Sequence, residues 1–263
     1  MTSERYQEGY RMWAVSGRDA NRLSVLDLVR KDLLDIRTAA VLWLLMERSS
    51  LIVASGPQLA GKTTLLTALL DLMPPSMEKV YTRGSEEDFS FLDQTGPSEA
   101  LVLVPEFSDH TPAYLWGSGV RTLFDALEKG YRVAGTMHAD TPEDILAQFT
   151  DVGVPRAQLH HVGAIVNIRV ETRAEDELDR RVSRLALVGP GPSLAIVGKL
   201  GTDETFSLVK GAEASIAEHL QMAATDVDAA ITERSKTLTG WLTEAPATVD
   251  ELSQLVAGYY SSG

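Results

Sequence analysis

Residues 51–66 read LIVASGPQLAGKTTLL. A short apolar run breaks into a loop bracketed by Gly56 and Gly61, and Lys62, Thr63 and an apolar helical pattern follow. This satisfies G-x-x-x-x-G-K-[ST] in the context that gives the pattern meaning, a strand before it and a helix after it. Glycines let the backbone wrap so that successive N–H groups point at phosphate oxygens, and the helix opening at Lys62 adds the positive end of its dipole. In such a loop Lys62 reaches the β and γ phosphates and the Thr63 hydroxyl falls on Mg²⁺. From average residue frequencies, the four fixed positions would coincide by chance in a chain of this size about one time in a hundred. The pattern alone does not separate ATPases from kinases or GTPases.

Outward from the loop, SLIVAS reads as a buried strand and KTTLLTALLDLM as a helix stopped by Pro74 and Pro75. KVYT, EALVLV and YRVAGT are further strands. RTLFDALEKG is a helix closed by Gly130, and TPEDILAQF one with Thr141 as N-cap, Pro142 in the first turn and Asp144 behind it. Upstream, Ser24 with Asp27 resembles a capping box opening SVLDLVRKDLL, and TAAVLWLLMER is a second helix. Strands alternating with helices predict a parallel sheet covered on both faces. After residue 163 the texture changes to short runs, GAIVNIRVE, RVSRLALVG, LAIVGKL and FSLVK, which predict antiparallel strands extending the sheet or packing beside it. The mixed-sign run ETRAEDELDRR between the first two reads as a solvated hairpin tip. The expected organisation is a polar leader over 1–22, an α/β domain over 23–210 and a helical segment over 211–263, its last helix opened by Thr248 and Glu251.

Two residues could complete a phosphate site. Glu106 follows the strand ending in LVLVPE, and strand carboxyl ends are where an open parallel sheet places its ligand chemistry. A carboxylate there can hold Mg²⁺ through water or orient an attacking water. His138 stands just beyond another strand in YRVAGTMHAD, in the same layer as the loop if the strands are neighbours, where an imidazole can contact a γ-phosphate and report its loss.

The 263 residues are 44% hydrophobic and 23% charged, an ordinary globular balance. The absence of cysteine excludes disulfides, thiolate metal sites and cysteine nucleophiles. With 24 basic against 37 acidic residues and a net charge of −13, nucleic acid is not the expected partner. The start lacks a charged-then-apolar signal pattern, and the run AAVLWLLM is interrupted at once by Glu47 and Arg48, so a cytoplasmic protein is expected.

LIVASGPQLAGKTTLLTALLDLMPP, ALVLVPE, LFDALEKGYRVAGTMHADTPEDILAQF and GVPRAQLHHVGAIVNIRV, in this order and spacing, resemble the motor domain of the type II/type IV secretion ATPase superfamily. That superfamily drives pilus, archaellum and secretion machines. The resemblance covers roughly residues 24–170, more loosely to 210, and is most specific from Gly130 to Asp144. It implies a RecA-like P-loop NTPase fold, ATP with Mg²⁺, a ring of six subunits, and coupling of hydrolysis to movement against a membrane platform protein, hence a place at the inner face of the cell membrane. Carried over residue by residue, Gly56, Pro57, Gln58, Leu59, Ala60, Gly61, Lys62, Thr63 and Thr64 match the phosphate loop, Glu106 the Walker B glutamate and His138 the family's histidine. A neighbouring subunit's arginine, Arg121 or Arg132, is expected to complete the site.

The chain departs from the family in four places. Gln58-Leu59-Ala60 stands where Thr-Gly-Ser is usual, although those positions contribute mostly backbone N–H groups. Pro105 replaces the glycine before the Walker B glutamate. Arg83 and Gly84 fall where an acidic pair is usual, with Glu86, Glu87 and Asp88 slightly displaced. Finally, too few residues precede the first strand for the family's N-terminal domain. These departures keep open a nucleotide-binding regulatory or structural subunit with little or no hydrolysis. A small-molecule kinase is disfavoured because the sequence shows no arginine cluster in a long insertion to serve as a lid over the transferring phosphate.

Overall fold

The parallel half of the protein is built from five of the apolar runs: β1 (Leu51–Ser55), β2 (Glu78–Tyr81), β3 (Ala100–Val104), β4 (Arg132–Met137) and β5 (Ala164–Thr172). A computed structural model describes residues 22–172, 178–246 and 248–261. The strands lie in the order β2-β3-β4-β1-β5, and every neighbouring pair is parallel. β1 and β3 are buried along their whole length, as continuous apolar strands are when both faces of a sheet are covered.

Beyond β5 the chain turns back on itself. β6 (Leu178–Val188), β7 (Leu194–Leu200) and β8 (Phe206–Leu208) follow in sequence and pair antiparallel, which makes one eight-stranded sheet. The short strands after residue 163 therefore extend the sheet and do not pack beside it. Their mixture of buried and part-exposed positions fits strands with one partly solvated face.

One face of the sheet is covered by α1 (Val25–Arg30), α2 (Ile36–Arg48), α3 (Lys62–Leu70) and three later helices, α6 (Ala212–Leu220), α7 (Ala224–Glu244) and α8 (Val249–Ser261). The other face carries α4 (Ser118–Glu128) and α5 (Pro142–Asp151). Local chemistry sets these helix ends. Ser24 and Asp27 make a reciprocal capping box at α1, and Thr141 and Asp144 make one at α5 with Pro142 in the first turn. Gly130 takes a left-handed φ of +92° after α4. α2 is buried on all sides from Thr38 to Met46 because α7 packs across it from outside; Trp43 meets Trp241 at 5.6 Å between rings.

The loop helix is shorter than its sequence pattern. α3 ends at Leu70, and Leu72 and Met73 donate back three residues to Leu69 and Leu70, a tightened last turn ahead of Pro74 and Pro75. Of the polar leader, Arg22 alone lies among the described residues, and its guanidinium pairs with Asp71 just past α3. The centre of ETRAEDELDRR, residues 173–177, lies outside them. Among the described residues, no helix is long and apolar enough to cross a membrane.

Candidate functional site

Sheet order brings the site together. β1, β4 and β3 lie side by side, so the loop leaving β1, His138 after β4 and Glu106 after β3 all emerge at the same carboxyl edge. The loop turns through three left-handed residues, Gly56, Leu59 and Gly61, with φ of +140°, +63° and +88°. Gly56 has a second constraint. A Cβ there would collide with the carbonyl oxygen of Ile168 on β5, so only glycine lets the loop leave the sheet along this path. Gly61 then starts α3 without a side-chain cap, which leaves the first N–H groups of the helix directed at whatever occupies the loop.

Lys62 is almost fully buried. Its ammonium has three protons and three acceptors: the carbonyls of Gly56 at 3.0 Å and Pro57 at 2.9 Å, and Nδ1 of His138 at 3.3 Å. Burial pulls the Lys62 pKa below the ordinary lysine value, and the nearby Glu106 carboxylate opposes the shift. The second ring nitrogen of His138, Nε2, lies 3.2 Å from Oε2 of Glu106. A Lys62 ammonium can only donate, which makes Nδ1 the acceptor and leaves Nε2–H to donate to Glu106, so the ring links cation to carboxylate. Gln148 on α5 donates to the His138 carbonyl at 3.0 Å and fixes the backbone there. Thr136 on β4 donates to the Pro105 carbonyl at 2.6 Å and ties the two strand ends.

Lys62, Glu106, His138 and Thr136 line a cavity of about 1360 Å³. Its polar end holds the loop from Gln58 to Thr64 with Glu106 and His138; its apolar walls come from Leu28 and Leu34 near α1, and Leu178 and Val182 on β6. The volume exceeds the usual range for a drug-sized ligand, leaving room for a polyphosphate and an attached ring system. Among the described residues no group of three or more His, Asp or Glu could hold a metal by itself. A divalent cation held here would share its coordination with phosphate oxygens and one or two protein groups, the arrangement Mg²⁺ favours, and Thr63 and Glu106 both face the cavity.

The residues displaced from the family pattern have other occupations. Arg83, just beyond β2, lines the cavity. Glu87 accepts from the backbone N–H of Arg83 at 2.8 Å and of Phe89 at 2.7 Å, while Asp88 pairs with the Arg83 guanidinium at 2.8 Å. The backbone N–H of Ser90 and then the Arg83 contact hold the Asp88 carboxyl well below the usual carboxylate range. The acids near residue 87 thus hold a turn and an arginine, and are not among the residues lining the cavity.

The two arginines expected from sequence are engaged within their own chain. Arg132 opens β4, at the end of the strand opposite His138, and donates to the Glu47 carbonyl at 2.6 Å. Arg121 donates to the Val152 carbonyl at 2.9 Å. Among the described residues, an arginine that touches the phosphate loop is one the sequence does not single out. Arg180 on β6 donates through Nε to the Leu59 carbonyl at 2.7 Å, and its Cδ lies 3.6 Å from the Cβ position of Gly61. Asp179, Arg180 and Arg181 had looked like part of a solvated hairpin tip; the structure places them on β6 along the cavity wall. Two further residues near the site also carry no mark in the sequence. Asn167 on β5 donates to Ser55 Oγ at 2.6 Å, and His110 brings Nδ1 to 4.0 Å from Glu106 Oε1.

No protein-family model matches the sequence. Over 159 residues the chain is 26% identical to an uncharacterized protein of Methanocaldococcus jannaschii, an overlap of 53% of this chain and 59% of the relative. Solved structures similar to it include the VirB11 ATPase of the Brucella suis type IV secretion system, at 16% identity and a TM-score of 0.38, covering 71% of this chain and 62% of that one. The ATPase DotB of Legionella pneumophila is 12% identical with a TM-score of 0.43, covering 88% of this chain and 65% of that one. The Yersinia pseudotuberculosis DotB is 11% identical with a TM-score of 0.44, covering 90% and 63%. The chain thus spans less than two thirds of the length of each of these proteins.

Proposed function

We propose that this chain binds ATP with Mg²⁺ at Gly56–Thr64 and hydrolyses it as a motor subunit of the secretion and pilus ATPase kind. The observation that carries the proposal is the linked series Lys62, His138, Glu106 at the mouth of a phosphate loop, with contacts of 3.3 Å and 3.2 Å. A γ-phosphate entering the loop competes for the Lys62 ammonium, which then gives up its bond to His138 Nδ1. Freed from that tether, the His138 ring can turn its Nε2–H from Glu106 to phosphate, and Glu106 loses its imidazole partner. Among the described residues two acids line the cavity: Glu106, against His138, and Asp179, which pairs with Arg181 at 3.3 Å. Glu106 is therefore the group to orient an attacking water, and release of phosphate restores the starting contacts. Thr63 and Glu106 would hold Mg²⁺, which would neutralise charge on the phosphates.

In this reading residues 23–210 are the motor and 211–263 a helical segment packed on it. The chain works as a homo-oligomer, a ring of six on the family pattern, in the cytoplasm against a membrane platform protein.

A second reading has its own observation. Arg83 lines the cavity where the family pattern has acids, and Glu87 and Asp88 are turned to it. A protein of this kind binds ATP as a regulatory or structural ligand with little turnover.

The test is Mg²⁺-dependent phosphate release across a series of protein concentrations, with ATP affinity measured in parallel and Lys62→Ala as control. Turnover that rises per subunit with concentration and disappears in the variant supports the motor. Binding without turnover selects the second reading, and an ATP affinity indifferent to Lys62→Ala removes both.

A further inference from the structure

The phosphate loop is gripped from the side opposite Glu106 by the β5–β6 pair. Gly56 leaves β1 against the carbonyl of Ile168 on β5, and the crest of the loop, the Leu59 carbonyl, receives the Arg180 Nε–H from β6. The register between the two strands shifts just there. Asn167 faces Arg184 but Ile168 faces Val182, so one residue of β6 is extra, and past this bulge Arg180 comes opposite Val170. Bulges re-aim side chains, and this one sets the reach of Arg180 toward the loop.

Leu59 shows what the contact resists. It is a non-glycine residue at φ +63° and is 69% exposed, so burial does not compensate its left-handed backbone. The Arg180 bond to its carbonyl is an interaction that does. Arg180 also lines the cavity that holds Lys62, which places a permanent cation beside the phosphate subsite.

We propose that Arg180 is a positioning residue of the phosphate loop: through the Leu59 carbonyl it holds the crest in the conformation that presents the N–H groups of the loop to a polyphosphate. The inference rests on the reading of residues 56–64 as a phosphate site. It gives β6 a role in the site, because any movement of the β5–β6 pair alters the grip on the loop.

The probe is inorganic tripolyphosphate, which has no base, measured by calorimetry beside ATP on the full chain. Arg180→Ala is expected to weaken both ligands by the same factor, about tenfold, the scale of one charge-assisted hydrogen bond. Its thermal midpoint should stay near that of the parent. Millimolar guanidinium ion is expected to restore most of the lost affinity, and a merely structural arginine would not respond in this way. In turnover, KM should rise with little change in kcat.

If Arg180→Ala binds both ligands within twofold of the parent while Lys62→Ala does not bind, Arg180 is a surface residue and the proposal fails with the phosphate site intact. Loss of affinity that guanidinium does not restore assigns the effect to the folding of β6 and equally overturns it. If Lys62→Ala binds as the parent does, the underlying phosphate-site reading is what fails.

Discussion

The Nε2 of His138 lies 3.2 Å from the carboxylate of Glu106, across the two neighbouring strands β4 and β3 that deliver them. Because Nδ1 of the same ring faces Lys62 at 3.3 Å, the histidine is a two-sided connector between the phosphate-binding cation and the candidate water-orienting acid. Glu106→Gln keeps the size and a hydrogen-bond acceptor but removes the charge. We expect it to lower turnover at least a hundredfold while ATP affinity changes less than threefold, the signature of a group acting in the chemical step. His138→Ala should lower both kcat and the discrimination between ATP and ADP. Phosphate release and fluorescent-nucleotide titration read these separately, and a Glu106→Gln protein with parental turnover would remove Glu106 from the chemistry.

Gly56→Ala tests the path of the loop. The added methyl meets the Ile168 carbonyl, and the residue sits at φ +140°, so both sterics and backbone oppose the change. A destabilisation of about 2–4 kcal/mol is expected together with loss of tripolyphosphate binding. Gly117→Ala is the control for positive φ alone, since its φ is +62° with nothing within 4 Å of the new atom. With ψ at −129° it lies outside the αL region, so the change should cost about 1–3 kcal/mol but leave binding unchanged. Equal losses of binding in the two variants would mean that the Ile168 contact does not shape the loop.

The sheet and the core of the site were legible because they depend on local signals. LIVASGPQLAGKTT carries strand, turn and helix start in one stretch, and Thr141-Pro142 and Ser24-Asp27 announce their helices by capping chemistry that acts over three residues. That His138 shares a layer with the loop is conditional on β4 lying beside β1, its contact with Glu106 depends likewise on β3 lying beside β4, and strand order is a tertiary property no short window contains. Arg180 was not legible for a sharper reason. It lies in a mixed-charge run whose pattern is that of solvated surface, and what turns it toward Leu59 is the pairing with β5 and a bulge between residues far from the loop in sequence. The acids Glu87 and Asp88 were visible as charges, but their use in holding Arg83 depends on a left-handed turn at Phe89.

Glu87→Ala should expose the structural use of that turn. The Glu87 side chain is almost fully buried and accepts two backbone N–H groups, those of Arg83 and Phe89. Removing it strands both donors, at about 1–3 kcal/mol in all. Glu86→Ala, an exposed neighbour, should stay within about 0.5 kcal/mol. Urea unfolding of the two variants measures the difference. Catalytic use of Glu87 would instead show as lost turnover in a protein of parental stability.

The pH dependence of stability should carry a contribution from His219. The ring sits near Ser49, with Nε2 3.4 Å from its hydroxyl, and burial pushes the pKa of the imidazole below the ordinary value of 6.5. Above that value the ring is neutral folded and unfolded, and contributes no pH dependence. As the pH falls below 6.5 the unfolded chain binds the proton first, so the slope of unfolding free energy against pH is positive and stability is lost down to the folded pKa. His161, lowered chiefly by burial as well, adds a term of the same sign. The urea midpoint is therefore expected to drop between pH 7.5 and 5.5, and His219→Gln, which does not titrate, to drop less over the same interval. Parallel curves for parent and variant would place the acid sensitivity at other groups and leave the packing of α6 against the start of β1 without a protonation cost.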